Sequence, residues 1–133
     1  MLVNVLSEGD ERRGIDNLMN RLRSLVEETG VGMILVSHLR RANGDRGHEK
    51  GVQVSLSHLK GSQGIAQLSD CVIALERNQQ AEDENEANTT KVRVLKSRYT
   101  GDTGLACSLL YDKETGRLHE LSEEETFDNE EAF

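Results

Sequence analysis

Apolar residues are distributed along the chain in three distinct patterns. Leu2 to Leu6 and Val31 to Ser37 (VGMILVS) are nearly continuous apolar runs, as expected of strands covered on both faces in a parallel sheet. Between them, Ile15, Leu18, Met19, Leu22, Leu25 and Val26 recur at helical spacing, while Arg12, Arg13, Arg21, Arg23 and Glu27 lie largely elsewhere. Asp10 as N-cap and Gly30 as C-cap bound that helix at about five turns. Further on, Cys71 to Leu75 (CVIAL) predicts another strand. Lys91 to Ser97 alternates Val92, Val94 and Leu95 with Lys91, Arg93 and Lys96, which predicts a strand with one exposed side. Gly101 to Gly104 turns into a strand over Leu105 to Tyr111, and Lys113 to Gly116 turns into a last short strand. Ser62 to Leu68 is a candidate short helix. Leu39 to Val54 is a basic, glycine-bearing loop and Asn78 to Asn88 a polar, acidic one. No internal repeat is present. The pattern predicts an α/β chain with a mostly parallel sheet, helices, and antiparallel hairpin strands at the C-terminal end. Residues 1–120 form the folded part and 121–133 an acidic, disordered tail.

Composition narrows the class. The 133 residues are 35 % hydrophobic and 3 % aromatic, without tryptophan or proline, which is lean for one self-sufficient core. No apolar run approaches the ~18 residues that cross a bilayer, and no signal peptide opens the chain. The expectation is a cytoplasmic protein without a membrane partner. Cys71 and Cys107 are too few for a disulfide scaffold; both fall in predicted strands and read as small buried hydrophobes. The net charge of −8 is unevenly placed. Six acids and no base lie between Leu121 and Phe133, so residues 1–120 carry only −2, and Glu82, Asp83, Glu84 and Glu86 form a second acidic cluster. Overall charge therefore does not exclude nucleic acid.

Three groups of residues carry candidate chemistry. His38 directly follows the apolar run at its carboxyl end, where ligands of open α/β sheets lie; a strand-capping histidine is the alternative. Lys96 and Arg98, spaced i, i+2 at a strand end, suit a phosphate, and Arg98 offered to a neighbouring subunit's nucleotide would be an arginine finger; solvated strand-end charges are the alternative. The loop bearing Arg40, Arg41, Arg46, Lys50 and Lys60, with glycines for close backbone approach, suits a phosphate backbone, though no aromatic is interleaved for base stacking; a solvated charged loop is the alternative. His38, His48 and His58 with Cys71 match no zinc-ligand spacing, so no metal site is expected. There is no G-x-x-x-x-G-K-[ST] loop, and no complete catalytic site can be assembled.

The strings VSHLRR, LKGSQGIAQLSDCVIALERNQQ, VLKSRYTGDTG and YDKETGRL, in that order and spacing, resemble the C-terminal part of the helicase domain of phage-type primase–helicases, a branch of the DnaB-like hexameric helicases. The resemblance runs from about Val3 to Leu118. It implies a partial RecA-like core of the P-loop NTPase type, assembled into a hexameric ring with ATP or dTTP and Mg2+ between subunits and single-stranded DNA through the centre. It also implies roles by position. His38 matches a phosphate-sensing histidine, Gln67 a glutamine near nucleotide and DNA loops, Arg98 the arginine finger and Lys96 its basic companion. Arg77 and Tyr111 match the pair that sandwiches the nucleotide base, a role for which a guanidinium plane and a phenol ring are suited. Arg40, Arg41, Arg46 and Lys50 correspond to one channel loop on the DNA backbone, and Lys60, Gly61 and Ser62 to a second. The acidic tail closing in Phe133 looks like a segment that docks the replicative polymerase.

The departures are specific. The family's phosphate-binding loop, catalytic glutamate and magnesium-holding aspartate precede the stretch where this chain starts, and Ala66 stands where the family often carries arginine. The resemblance thus implies the C-terminal portion of a longer frame, an NTP-dependent replicative helicase in which these residues do not hydrolyse nucleotide unaided. Two other classes fit part of the pattern: a recombinase or clock-type ATPase on the same fold, and a non-catalytic module that recruits a polymerase.

Overall fold

The computed structural model describes residues 8–39, 51–59 and 63–122. The predicted strand at Leu2–Leu6, most of the basic loop and the acidic tail from residue 123 onward lie outside them. Two compact units emerge, one from the N-terminal 40 residues with Leu56–Asp70, the other from Arg41–Ser55 with Cys71–Phe133.

In the first unit, helix α1 (Glu8–Thr29) runs 22 residues. It starts two residues before Asp10, which is thereby a first-turn acid and not the N-cap. Its other end is as expected: Gly30 adopts φ +70° and donates its N–H to Val26 O at 2.8 Å. The apolar stripe meets helix α2 (Gln63–Leu68), where Met19 and Ile65 are buried. Arg23 links the two helical segments, donating through Nη1 to both carboxylate oxygens of Asp70 at 3.0 and 2.9 Å and through Nε to Glu27 at 2.8 Å. These bonds, Glu27's first, raise the guanidinium's pKa.

Val31–Ser37 forms no strand. Ile34 is 95 % and Val36 88 % exposed, and the nearest ladder contact is one antiparallel bridge between Leu39 and Leu59. A continuous apolar strand needs a neighbour on each edge and cover on each face, and none of the described residues supplies them. The parallel sheet expected from the strand–helix–strand pattern is accordingly not seen among the described residues.

The second unit is built on a four-stranded sheet in the order β1 (Cys71–Arg77), β2 (Thr89–Ser97), β3 (Gly104–Asp112), β4 (Arg117–Glu120), with every pair antiparallel. The C-terminal hairpins are therefore as predicted. Strand β2 is central, and all nine of its residues are half-buried, so it lacks the exposed side expected of it. The acidic loop contains an unforeseen helix, α3 (Glu84–Asn88), capped by Asp83, whose Oδ1 accepts from Asn85 N at 2.9 Å. Cys71 is exposed and Cys107 half-buried, contrary to their reading as buried hydrophobes. Cys71 opens an edge strand, where half of its surroundings is missing.

Candidate functional site

Arg77 closes β1, pairing with Thr90, which pairs with Leu109 on β3; Tyr111 lies two residues beyond Leu109. Directly paired residues share a face and strand alternation has period two, so Arg77 and Tyr111 stand on the same side of the sheet, two strand spacings across and two residues along, ~12 Å apart at the backbone. Arg77 is held from behind. Its Nε donates to Ala87 O at 2.7 Å and its Nη2 to Asn88 Oδ1 at 3.2 Å, at the C-terminal end of α3 where helix carbonyls lack intrahelical donors. Asn88 is itself buried and donates Nδ2 to Glu84 O at 2.8 Å.

Tyr111 sits at the root of the β3–β4 hairpin. There Asp112 organises the turn, accepting from Glu114 N and Thr115 N at 2.9 and 3.4 Å and from Thr115 Oγ1 at 2.6 Å. Gly116, at φ +69°, completes the turn. The Thr115 hydroxyl first, then the Glu114 amide, hold the Asp112 carboxyl below its usual range. Lys113 Nζ reaches Glu84 Oε1 at 2.6 Å and lowers that carboxyl's pKa, tying the hairpin to the same helix that holds Arg77.

Lys96 lies in β2, opposite Val72. Arg98 lies past the strand's end, exposed in the β2–β3 turn and not on the strand itself. The turn is closed by Gly101 N donating to Ser97 O at 2.9 Å, by Ser97 Oγ and Thr100 Oγ1 2.9 Å apart, and by Gly101 at φ +75°. In the other unit, His38 is exposed after the apolar run, and Gln67 is exposed on α2. Arg40, Arg41, Arg46, Lys50, Lys60, Gly61, Ser62 and Phe133 lie outside the described residues.

Sequence reasoning missed Glu76, Arg93, Asn88 and Asp112. Glu76 Oε1 accepts from Arg93 Nε at 2.7 Å and from Val54 N at 2.8 Å. Only the YDKETG turn composition pointed to one of them, Asp112. The Glu76–Arg93 pair spans two strands, and no local spacing announces it. Among the described residues no three histidine, cysteine or acidic side chains converge to hold a metal ion, and no helix is long and apolar enough to cross a membrane.

Residues 1–120 match the model of the DnaB-like helicase C-terminal domain. The chain belongs to that family. It is 43 % identical over 122 residues to the DNA helicase/primase of Enterobacteria phage T3, a match that takes in 92 % of this chain and 21 % of that protein. The chain thus spans about a fifth of the length of the curated relative it matches. Within the DnaB-like domain, the described geometry brings together Arg77 and Tyr111 on one sheet face and puts Arg98 at a hairpin tip. His38 and Gln67 belong to the other compact unit.

Proposed function

We propose that this chain acts within an NTP-driven replicative DNA helicase, as the C-terminal part of a RecA-like domain in a hexameric ring. The observation that carries the reading is the same-face pair Arg77 and Tyr111, with the guanidinium braced by Ala87 O and Asn88 Oδ1. A planar cation, fixed by its contacts to α3, and an exposed phenol ring suit the two sides of a nucleotide base. Neither group discriminates strongly among bases, consistent with ATP or dTTP as the nucleotide. The bound nucleotide would supply the phosphoryl transfer whose free energy drives movement along DNA. The described residues fit its base; they offer no carboxylate set for Mg2+, and no step here is assigned to the ion.

The remaining roles follow the order of the chain. Arg98, exposed at the β2–β3 tip, reaches toward the terminal phosphate of a nucleotide held by a neighbouring subunit and stabilises charge there, with Lys96 adding positive potential. His38 reports the presence of that phosphate and Gln67 relays it toward the DNA loops. Arg40, Arg41, Arg46 and Lys50, with Lys60, Gly61 and Ser62, grip single-stranded DNA through its phosphates. The acidic tail ending in Phe133 docks the replicative polymerase, in the host cytoplasm.

The deciding experiment is Arg98→Ala in a hexameric ring containing this chain, followed by steady-state NTP hydrolysis. The expected loss is about three orders of magnitude or more, the size of arginine-finger effects, with nucleotide still bound. Near-normal turnover would overturn the assignment.

A further inference from the structure

We propose that Thr90 is the specificity-determining residue of the base site: its hydroxyl hydrogen-bonds the exocyclic group of a base stacked between Arg77 and Tyr111. Register puts it there. Thr90 pairs with Arg77 on one side and with Leu109 on the other, so all three share the face that carries Tyr111 two residues past Leu109. Its backbone lies one strand spacing, ~4.8 Å, from those of Arg77 and Leu109, on the floor between the two stacking groups. The guanidinium is itself held at Ala87 and Asn88, three and two residues before Thr90 in the chain.

Thr90 differs from its neighbours in what it leaves unused. Thr89, on the other face by strand alternation, donates its hydroxyl to Asn85 O at 2.7 Å. Asn88 is committed twice, accepting from Arg77 and donating to Glu84 O. Leu109 offers only hydrocarbon. Thr90 is half-buried, and its hydroxyl has no hydrogen-bond partner among the described residues. A hydroxyl so placed bonds solvent, and a base seated between the two planes displaces that solvent. The base must then return the hydrogen bond or leave the hydroxyl unpaired. A hydroxyl both donates and accepts, so it can accept from the 6-amino group of adenine or donate to the 4-oxo group of thymine. It rejects a base of the same shape whose edge carries neither. The stacking pair thus supplies affinity for any base, and Thr90 supplies discrimination by the edge.

The inference rests on the base-stacking reading of Arg77 and Tyr111, and the test separates the two. Competitors would displace a fluorescent, slowly hydrolysed nucleotide from a hexameric ring containing this chain. They form two pairs: ATP with purine riboside triphosphate, which lacks the 6-amino group, and dTTP with its pyrimidin-2-one analogue, which lacks the 4-oxo group. In the unaltered ring the first member of each pair should bind about fivefold more tightly, the size of one net hydrogen bond. Thr90→Val keeps the branched shape that suits a strand and removes the hydroxyl, so both ratios should fall to about one. Thr90→Ser keeps the hydroxyl and should keep the ratios. Arg77→Ala and Tyr111→Ala should instead weaken both members of each pair, by about threefold or more. Ratios near one in the unaltered ring, or ratios that survive Thr90→Val or vanish in Thr90→Ser, would overturn the role of Thr90 whatever the stacking variants show. Unchanged affinity for all four nucleotides in both stacking variants would overturn the stacking reading, while the ratios still report on Thr90.

Discussion

The two sides of β1 are opposites. Ala74 and Glu76 are 7 % and 5 % exposed, whereas their neighbours Ile73 and Leu75 are 57 % and 66 % exposed. The covered side is the polar one, carrying Glu76 and, in register across the sheet, Lys91, Arg93 and Ser108. The open side, away from Arg77 and Tyr111 at its end, is apolar, with Ile73 and Leu75 beside Val92 and Val94. Hydrophobicity alone would assign the faces the other way round. The difference teaches that burial here follows hydrogen bonding: Val54 and Arg93 satisfy Glu76 and seal its side, while the apolar side has no cover among the described residues.

The contrast can be broken most sharply at Glu76. Glu76→Ala removes the partner of both Arg93 and the Val54 amide, and should cost about 3 kcal/mol of unfolding free energy in denaturant melts. Leu75→Ala, on the neighbouring but open position, should cost less than about 0.5 kcal/mol, despite deleting more apolar surface. Equal effects would mean the open side is covered in solution. A smaller effect, opposite in sign, is expected on the polar side itself. The Ser108 hydroxyl is buried without a hydrogen-bond partner among the described residues. Ser108→Ala should therefore stabilise the sheet, by about 1 kcal/mol in the same melts.

The smallest effect is a titration at the far hairpin. Asp112 and Glu84 both have carboxyls held below their ordinary values of 3.8 and 4.5. Their contribution is fully present above those values and fades as pH falls through the lower folded ones. Protection of the amides in residues 112–117, relative to the exchange rate of unstructured chain at the same pH, should be steady from neutrality to about pH 4.5 and fall below it. In Asp112→Asn the acid-dependent part should shrink. A hairpin whose protection changes near neutrality would contradict the turn geometry.

The local elements were legible in the sequence where a single segment decides them. The α1 stripe, the Gly30 stop, the α2 helix and the hairpins at Gly101–Gly104 and Lys113–Gly116 all follow from periodicity and turn chemistry. Elements that depend on partners were not legible. Val31–Ser37 has the composition of a buried strand but no paired neighbour among the described residues, and composition cannot report a neighbour. Cys71 looked buried for the same reason. Helix α3 was hidden because its five residues have no apolar face, and only Asp83 marked its start. At the site, Arg77 and Tyr111 came from the family strings; neither one's shared face with the other is visible until the register of three strands is known. Glu76 lay beside Arg77 in the same string and drew no notice, because its partners Val54 and Arg93 are 22 and 17 residues away.

Strand β2 carries one residue more than β1 between the pairs Ile73–Val94 and Val72–Lys96, the extra one being Leu95. Such an insertion bends and twists a strand locally while alternation resumes beyond it. Lys91, Arg93 and Lys96 consequently all stay on the side of Glu76, although Val94 and Lys96 are only two apart. Direction and sidedness are thus decoupled at this point. Deleting Leu95 would leave Lys96 opposite Val72 and Ser97 opposite Cys71, keeping every cation on its own side while relaxing the local bend that aims the tip bearing Arg98. A change of one residue could in this way retune the direction in which the guanidinium leaves the sheet, leaving the rest of the ladder as it was.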